Sequence, residues 1–422
     1  MATKFAVDEG DTVLDGPATV SSLKLPASAS SAAPTKATAD EASLLRSIEM
    51  IAPVLQRGAA QSDVKGCLVD ESARALQTNN FWRLKLCREM GGLELPIVTQ
   101  IRCLAALAAV DTSSAWCTMI ANNAVAALGA TMPQAAIESI FSAGVPACSI
   151  VVAPGGIATA KEGGYVLNGT WRLASSIHHA EWVHATALIE RDPSRILPLA
   201  IRARDVELLD TWNVVGLGGT GSKDFKLTNY FLPSELTGNE HNPYGQIRGE
   251  RRYDLVDLEH LESYEHLAFA LGVGRRALHE LRALLAKPSP GRYIADREVV
   301  QSQLGQAVVK MQAVEALAYS LYARVDAAAI GSPQIWLDTD RHLPRALAVW
   351  ATQLALECVQ LAFHRSGLAS LHRPNILEKL LRDMSVAAIH VVVEDSAFPS
   401  YAQHLIETGA SLELSRPVSN TI

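Results

Sequence analysis

The spacing of apolar residues changes twice along the chain. Leu44, Ile48 and Leu55 recur with the period of an α-helix, which predicts a first helix beginning near Asp40. A second helix is predicted near 70–78. The alanine-rich stretch 97–130 is long and apolar enough for two closely packed buried helices. The chain therefore opens with a helical part.

From residue 146 the apolar residues become β-branched and come in short runs. Glu162-Gly163-Gly164 interrupts them and is typical of a turn between two strands. The pattern predicts a β unit over 146–235. Its other strands are expected at 149–152, 183–189, 197–201 and 225–232.

The helical period returns near Leu255 and continues to about residue 407. Several of these segments are apolar on more than one face, which is typical of helices buried in a bundle or against another subunit. The four long helices are predicted at 267–285, 299–329, 341–364 and 376–393.

The predicted architecture is mainly α with a central β-barrel domain. The domain boundaries follow from the changes of pattern and from the Ser-, Ala-, Pro- and Thr-rich segment 21–40, which cannot bury enough apolar surface to order itself. The predicted parts are a disordered tail 1–40, an N-terminal helical domain 41–145, a middle β-barrel domain 146–240 and a C-terminal helical bundle 241–422.

Composition excludes several classes of protein. The chain has 422 residues, 49% of them hydrophobic, and a formal net charge of −7 without a Lys/Arg-rich block, so no nucleic-acid partner is expected. Neither a secretory signal nor a long uncharged apolar run is evident, so no membrane association is expected. The six cysteines are scattered, with no CxxC pair, which favours reduced thiols and a cytoplasmic protein.

Common catalytic signatures are weak. His178-His179 has no carboxylate at ligand spacing, so no metal site is predicted. No GxSxG motif is present. The glycine-rich segment 216–222 lacks the Gly-Lys-Ser/Thr ending of a phosphate-binding P-loop and precedes a strand.

A series of motifs in fixed order is more specific. The motifs are Asp111-Thr112-Ser113-Ser114-Ala115-Trp116 with Asn122, Pro154-Gly155-Gly156, Gly169-Thr170-Trp171-Arg172-Leu173-Ala174-Ser175-Ser176, Asp210-Thr211-Trp212, Gly216 to Ser222, Phe231-Leu232-Pro233, and Arg382-Asp383 with His390. With these motifs the chain resembles the acyl-CoA dehydrogenase fold superfamily over about residues 41–410, and within it the two-component flavin-dependent monooxygenases of the hydroxyphenylacetate, secosteroid-phenol and dibenzothiophene type.

The resemblance implies an acyl-CoA dehydrogenase-like fold with a C-terminal four-helix bundle, assembled as a homotetramer. It implies a flavin in a cleft between the β domain and the helices, with Trp171, Ser175 and Ser176 alongside the ring. Read alone, Trp171 is also consistent with a barrel-core aromatic and the serines with turn formers. The chain departs from the family at Ser176, usually Gly, and at Gly218, usually Arg.

Two further cofactor contacts are suggested by position. Arg292 and Gln301 stand roughly where dehydrogenases of this fold keep an Arg and a Gln that touch the flavin dinucleotide across subunits. The spacing between the Arg and the Gln is shorter in this chain than in those dehydrogenases. Ordinary surface roles for both residues stay open.

The C-terminal motif bears on the reaction. A dehydrogenase of this fold needs a carboxylate base shortly after the Arg-Asp pair, but Val391 stands nine residues after Arg382, and Glu394 lies three residues further on. His390 instead suits oxygen transfer, because an imidazole can deprotonate a phenol or stabilise a flavin hydroperoxide. A histidine packed in the bundle is the alternative.

Asn122 and Ser149 are predicted by resemblance to line the same pocket, with packing roles as the alternative. The leading hypothesis is a monooxygenase that inserts one oxygen atom into a small organic, aromatic substrate through a flavin C4a-hydroperoxide. It would use molecular oxygen and reduced flavin (FMNH2 or FADH2) from a separate NAD(P)H:flavin reductase, since no strand-linked GxGxxG is present. An FAD-dependent acyl-CoA dehydrogenase using Glu394 and a flavin-free scaffold are the two rivals.

Overall fold

Helices form the first part of the chain, as the apolar spacing predicts. The computed structural model describes residues 39–245, 247–249, 258–286, 298–330 and 342–409. Leu44, Ile48 and Leu55 are buried on one face of the first helix. The helices are α1 (Ala39–Lys65), α2 (Asp70–Thr78), α3 (Ile97–Val110), α4 (Thr112–Thr131) and α5 (Gln134–Ile140).

The stretch 97–130 forms two buried helices, as predicted. Asp111 separates them, because its backbone is extended and its carboxylate accepts a hydrogen bond from the Ser114 N–H at 2.9 Å, which caps α4. Both helices are buried on nearly every face, and α3 also packs against the C-terminal helices. The cap therefore sets where α4 begins and which side chains it presents inward.

A seven-stranded sheet follows the helices. Glu162 and Gly163 connect two antiparallel strands, and Gly163 has φ +79°, a conformation that favours glycine. The strands are β1 (Cys148–Val151), β2 (Gly156–Lys161), β3 (Gly164–Ala174), β4 (Trp182–Ile189), β5 (Asp192–Arg202), β6 (Glu207–Leu208) and β7 (Lys223–Pro233).

The sheet is a curled half-barrel, whereas the sequence predicted a barrel. Its order is β1-β4-β2-β3-β7-β6, with β5 on the other edge of β4. The chain after β7 returns toward β5, where Thr237 bridges Leu199 and the Gly238 N–H donates to the Pro198 carbonyl at 2.8 Å. Within the described strands β5 and β6 remain unpaired with each other.

The described residues of the C-terminal part form three long helices and two shorter helices of 12 residues each. Those from α6 to α9 pack against one another, as the bundle prediction requires. Within α8, 61% of the most apolar window is buried, although length and composition alone would allow that helix to cross a membrane. The helices are α6 (Leu258–Leu285), α7 (Glu298–Ile330), α8 (Leu343–Ser366), α9 (Ile376–Ala387) and α10 (Ala397–Thr408).

The predicted helix 376–393 is too long. The helix α9 ends at Ala387, and residues 391–393 form a short 3-10 turn. Three consecutive valines there are stiff at χ1 and poor helix formers, and the His390 side chain accepts a hydrogen bond from the Val392 N–H, which competes with helix continuation. His390 therefore lies on a turn.

The order of helices, sheet and helices agrees with the predicted architecture. The predicted tail 1–40 lies outside the described residues, except that α1 begins at Ala39. The domain boundaries at 145 and 240 fall between described elements and stay predictions.

Candidate functional site

Three aromatic rings from two separate segments surround Trp116 on α4. The ring centroids of His266 and Phe269, on α6, each lie 5.4 Å from that of Trp116, and His390 lies 5.7 Å away. All three rings meet Trp116 edge to face, the favourable arrangement for aromatic pairs. Trp116 and His266 are buried. We call these four residues the ring cluster.

His390 faces this cluster from the turn after α9. Its neighbours Ile389 and Val391 are exposed, whereas burial lowers the pKa of His390 to about 4. The imidazole is therefore neutral near pH 7. Its Nδ1 accepts a hydrogen bond from the Val392 N–H at 3.3 Å, so the ring proton resides on Nε2. That leaves Nε2–H as the hydrogen-bond donor of the ring.

Ser175 connects the ring cluster to the sheet. It directly follows β3, and its Oγ accepts a hydrogen bond from the Trp116 Nε1–H at 3.3 Å. The same Oγ lies 2.6 Å from Ser222 Oγ, on the chain just before β7. Ser176 follows in the left-handed conformation, with φ +63°, which turns the chain sharply at this point. Ser175 and Ser222 are buried, so their hydroxyls form hydrogen bonds with protein groups.

The glycine-rich segment 216–222 is packed between helices. A Cβ on Gly216 would collide with the backbone carbonyl of Arg382 in α9, so only glycine fits there. The Leu217 N–H donates to Asp383 Oδ1 at 2.6 Å, and the Gly219 N–H donates to Asp63 Oδ1 at 3.2 Å. Its backbone N–H groups thus bind carboxylates of this protein, which agrees with the absence of a P-loop signature.

A buried lysine joins the carboxylates that hold this loop. Lys379 Nζ lies 2.9 Å from Asp383 Oδ2, 3.0 Å from Asp63 and 3.9 Å from Asp111. Burial disfavours its charge, but the three carboxylates outweigh that effect and raise the pKa of Lys379. Asp383 is fully buried and also accepts a hydrogen bond from the Thr112 hydroxyl. The Arg382-Asp383 motif therefore ties α9 to α1, α4 and the loop.

A second buried charge pair lies beside the ring cluster. Lys85 Nζ lies 3.8 Å from Glu265 Oε1 and donates to Asn123 Oδ1 at 2.5 Å. Asn123 in turn donates to Glu265 at 2.5 Å. Burial raises the pKa of Glu265, which immediately precedes His266 on α6. This network holds α4 and α6 together next to the rings.

The predicted residues Asn122 and Ser149 contact backbone. Asn122 Oδ1 accepts from the N–H groups of Leu84 and Lys85 at 2.6 and 3.3 Å, and its Nδ2 donates to the carbonyls of Phe81 and Thr118. The three bonds to Phe81, Leu84 and Lys85 hold the segment 81–85 on α4. Ser149 Oγ donates to the Ser175 carbonyl at 2.7 Å and so reaches the site through the backbone. Their predicted catalytic roles stay predictions.

The predicted flavin contacts lie in different places. Trp171 is buried in the sheet core, stacked on Phe225 at 5.2 Å with its Nε1–H donating to the Thr186 carbonyl at 2.7 Å. Ser176 is buried next to Ser175. Gln301 is exposed near the start of α7, and Arg292 lies outside the described residues. Of the predicted set, Ser175 and His390 meet at Trp116.

Four residues that sequence reasoning did not select are central to this arrangement: Trp116, His266, Ser222 and Lys379. Trp116 ends the motif that begins at Asp111, and Ser222 ends the glycine-rich segment 216–222. Membership of these motifs was the signal in the sequence that could have identified both residues. His266 stands on α6, which is buried on every face around that residue, and Lys379 stands on the amphipathic helix α9; no local pattern marks either residue.

The site fits a flavin by its own chemistry. An isoalloxazine has apolar faces and an edge of N–H groups, ring nitrogens and carbonyls, which suit aromatic walls and hydroxyls respectively. The ring cluster supplies the walls. Among the described residues, the buried hydroxyls of Ser113, Ser114 and Thr118 on α4 have no hydrogen-bond partner, so polar groups of a ligand would satisfy them.

Glu394, the base that the alternative dehydrogenase reaction would use, lies away from the ring cluster. Glu394 is exposed on the surface, where its carboxylate accepts a hydrogen bond from the Ser396 hydroxyl at 3.4 Å. The residue follows the 3-10 turn, so the helical spacing that would have brought it close to the position of Val391 is absent.

Comparisons with known proteins agree with this chemistry. Residues 264–395 match the acyl-CoA dehydrogenase C-terminal domain. A pigment production hydroxylase of Rhodococcus sp. is 23% identical over 365 residues, which cover 83% of this chain and 92% of that protein. The HsaA oxygenase subunit of a flavin-dependent monooxygenase of Rhodococcus jostii is 28% identical over 195 residues, 45% of this chain and 50% of that protein.

The fold is shared with solved structures of other proteins. The structure of XiaF from Streptomyces sp., in complex with FADH2 and glycerol, has a TM-score of 0.73 and 22% identity, covering 90% of this chain and 98% of that one. The predicted resemblance is thereby confirmed: the chain has an acyl-CoA dehydrogenase-like fold, and relatives such as HsaA are named oxygenase subunits of flavin-dependent monooxygenases. The names of these relatives agree with the predicted enzyme class.

Proposed function

We propose that this chain is the oxygenase component of a two-component system that inserts one oxygen atom into a small aromatic substrate. A separate NAD(P)H:flavin reductase would supply FMNH2 or FADH2, and molecular oxygen would be the second substrate. The relative named as an oxygenase subunit supports a division of labour between two proteins, and the XiaF structure with FADH2 supports reduced flavin as the cofactor.

The ring cluster with Ser175 carries this proposal. Trp116, Phe269 and His266 offer ring edges and faces to planar molecules, and Ser175 and the unpartnered α4 hydroxyls offer polar contacts at their rim. When bound there, reduced flavin would supply the electrons that activate oxygen. Exclusion of water by these buried rings would protect the reaction from unproductive release of hydrogen peroxide.

His390 would act as a hydrogen-bond donor. With its pKa lowered to about 4 and its Nδ1 already accepting from Val392, the imidazole is a weak base, so deprotonation of a phenol is the less favourable of the two predicted roles. Its Nε2–H is suited to donate to an oxygen atom of the bound molecules. Ser149 would contribute by holding the Ser175 backbone, and Asn122 by holding residues 81–85.

The chain would work as a homotetramer in the cytoplasm. Leu368, Ile389, Val391 and Ile406 expose apolar side chains on the C-terminal helices and turns, surface that neighbouring subunits would cover. Of the two rivals, the dehydrogenase receives no support from the exposed Glu394. The flavin-free scaffold receives none from a buried cluster of rings and hydroxyls.

The test uses purified protein and chemically reduced FMN or FAD, mixed with isotopically labelled oxygen gas and a panel of phenols, indoles, thioethers and amines. One labelled oxygen atom is expected in the product of an aromatic member of the panel. His390→Ala should lower product per flavin oxidised and raise hydrogen peroxide release, whereas His241→Ala, at an exposed loop position, should change neither. Absence of label from every product, or bleaching of bound FAD by an acyl-CoA without oxygen, would contradict the proposal.

A further inference from the structure

A cavity of about 230 Å³ lies between the end of α2 and the chain that leads into β1. Its walls come from the segments 77–83 and 145–147, so none of the ring-cluster residues takes part in it. The volume is below the roughly 300–1,000 Å³ of pockets that hold drug-sized ligands, and it therefore suits a molecule about the size of a single ring.

Arg83 brings a positive charge to this cavity. Its guanidinium donates to Asn80 Oδ1 at 2.5 Å and to the Gly91 carbonyl at 3.2 Å. Both acceptors are neutral, and no carboxylate of the described residues forms a salt bridge with Arg83. A guanidinium has five N–H donors, so three of them remain for a ligand.

The turn before Arg83 fixes the orientation of the guanidinium. Asn80 has φ +67°, a left-handed conformation that asparagine tolerates, and its carbonyl accepts from the Arg83 N–H at 3.2 Å. The turn is bonded to α2, because the Asn80 N–H donates to the Gln77 carbonyl at 3.1 Å. A ligand would therefore find the guanidinium already in place, which lowers the entropy cost of binding.

The other walls are apolar. Trp82, Val145 and Pro146 line the cavity, and Trp82 is only 4% exposed. The Trp82 indole N–H is buried and has no hydrogen-bond partner among the described residues, so this wall also contains an unsatisfied donor. A fixed guanidinium beside an aromatic and a proline suits a molecule with one carboxylate and a compact apolar body, because a carboxylate matches the planar fork of arginine.

We propose that this cavity binds a small monocarboxylate with an apolar body, held by Arg83 against Trp82 and Pro146. The site is separate from the proposed oxygenation. Its occupancy would nevertheless reach α4, because the Phe81 carbonyl and the Leu84 N–H, on either side of Trp82 and Arg83, each bond to Asn122 at 2.6 Å. A bound ligand would therefore stiffen the segment 81–85.

The experiment titrates the purified protein with benzoate, cyclohexanecarboxylate and benzyl alcohol by isothermal titration calorimetry. Both carboxylates should bind at one site per chain, and the neutral alcohol at least tenfold more weakly. Arg83→Gln should weaken benzoate binding by roughly tenfold to a hundredfold, since it removes hydrogen bonds from a charged group. Arg83→Lys keeps the charge without the fork and should lose less.

Two further variants test the electrostatics. Arg57→Gln is the matched control, because Arg57 is an exposed arginine paired with Glu71 on the surface, and its loss should leave benzoate affinity unchanged. Glu181 accepts from the Ala147 N–H at 3.3 Å, so its charge lies beside the cavity wall, and Glu181→Gln should strengthen benzoate binding. In wild type, benzoate should slow amide hydrogen exchange at Leu84.

Three results would overturn the proposal. They are the absence of saturable benzoate binding, equal benzoate affinity in wild type and Arg83→Gln, and equal affinity of wild type for benzoate and benzyl alcohol. Benzoate binding that survives Arg83→Gln but is lost in Trp116→Phe would place the carboxylate in the ring cluster, which contradicts the proposal as well. None of these results bears on oxygen insertion, so the proposed function is tested independently.

Discussion

The imidazole rings of His266 and His390 lie with their centroids 4.4 Å apart, although the residues stand on different elements. Burial lowers the pKa of His390 from 6.5 to about 4. The ring cluster therefore works with His390 uncharged at neutral pH.

This relationship predicts how stability depends on pH. In the unfolded chain His390 binds a proton near pH 6.5, but in the folded protein only near pH 4. Between these two values the unfolded state binds more protons than the folded state. The contribution of His390 to the free energy of unfolding is therefore fully present above pH 6.5 and is lost as pH falls toward 4. The partly accessible ring should account for about 2 kcal/mol of this loss. Urea denaturation of wild type and His390→Gln across this range measures it.

His184 is the control for that prediction. It is buried in β4, and burial likewise lowers its pKa to about 4. His184→Gln should also reduce the pH dependence of stability between 6.5 and 4. Only His390→Gln should change the yield of oxygenated product at neutral pH. Equal effects of the two variants on product yield would refute a direct role for His390.

The carboxylate of Asp383 should be among the most important for stability. Asp383→Ala leaves Lys379 with one buried partner fewer and removes the acceptors of the Leu217 N–H and the Thr112 hydroxyl. The free energy of unfolding should fall by about 3–5 kcal/mol. Urea denaturation followed by circular dichroism measures the change.

A surface pair provides the comparison for Asp383. Lys65 and Asp70 are also 2.9 Å apart, but both side chains are largely exposed. Because solvent screens such a pair, Asp70→Ala should leave the urea midpoint almost unchanged. Similar urea midpoints for Asp383→Ala and Asp70→Ala would show that burial of the Lys379 cluster adds nothing to stability.

Replacement of two tryptophans by phenylalanine separates a core role from a binding role. Trp171→Phe removes ring volume from the sheet core and the bond to the Thr186 carbonyl, so it should lower the free energy of unfolding by about 1–3 kcal/mol. Trp116→Phe removes the donor to Ser175 and should weaken flavin binding more than it lowers stability. Denaturation and flavin fluorescence quenching, measured on both variants, give the two quantities.

The opposite result would favour the contact implied by the family resemblance. If Trp171→Phe weakened flavin binding at unchanged stability, Trp171 would touch the cofactor despite its position beside Phe225. If Trp116→Phe left flavin affinity unchanged, the ring cluster would not be the flavin site.

The sequence predicted the helices and strands more reliably than it predicted the contacts between them. Apolar spacing placed the helices near their observed bounds because burial of one face imposes a period on the chain. It extended α9 past Ala387, because the capping bond of His390 and the stiffness of three valines are local effects that hydropathy does not register. The predicted barrel became a half-barrel because strand pairing depends on partners far apart in the chain.

The sequence by itself determined the order of helices and strands and the family resemblance, because periodicity and ordered motifs are properties of neighbouring residues. Tertiary structure alone decided which side chains meet. Trp116, Ser175, His266 and His390 come from four distant segments, and packing brings them together. It also decided that Trp171 lies in the core, because a strand residue faces either the core or a cleft according to what packs against the sheet.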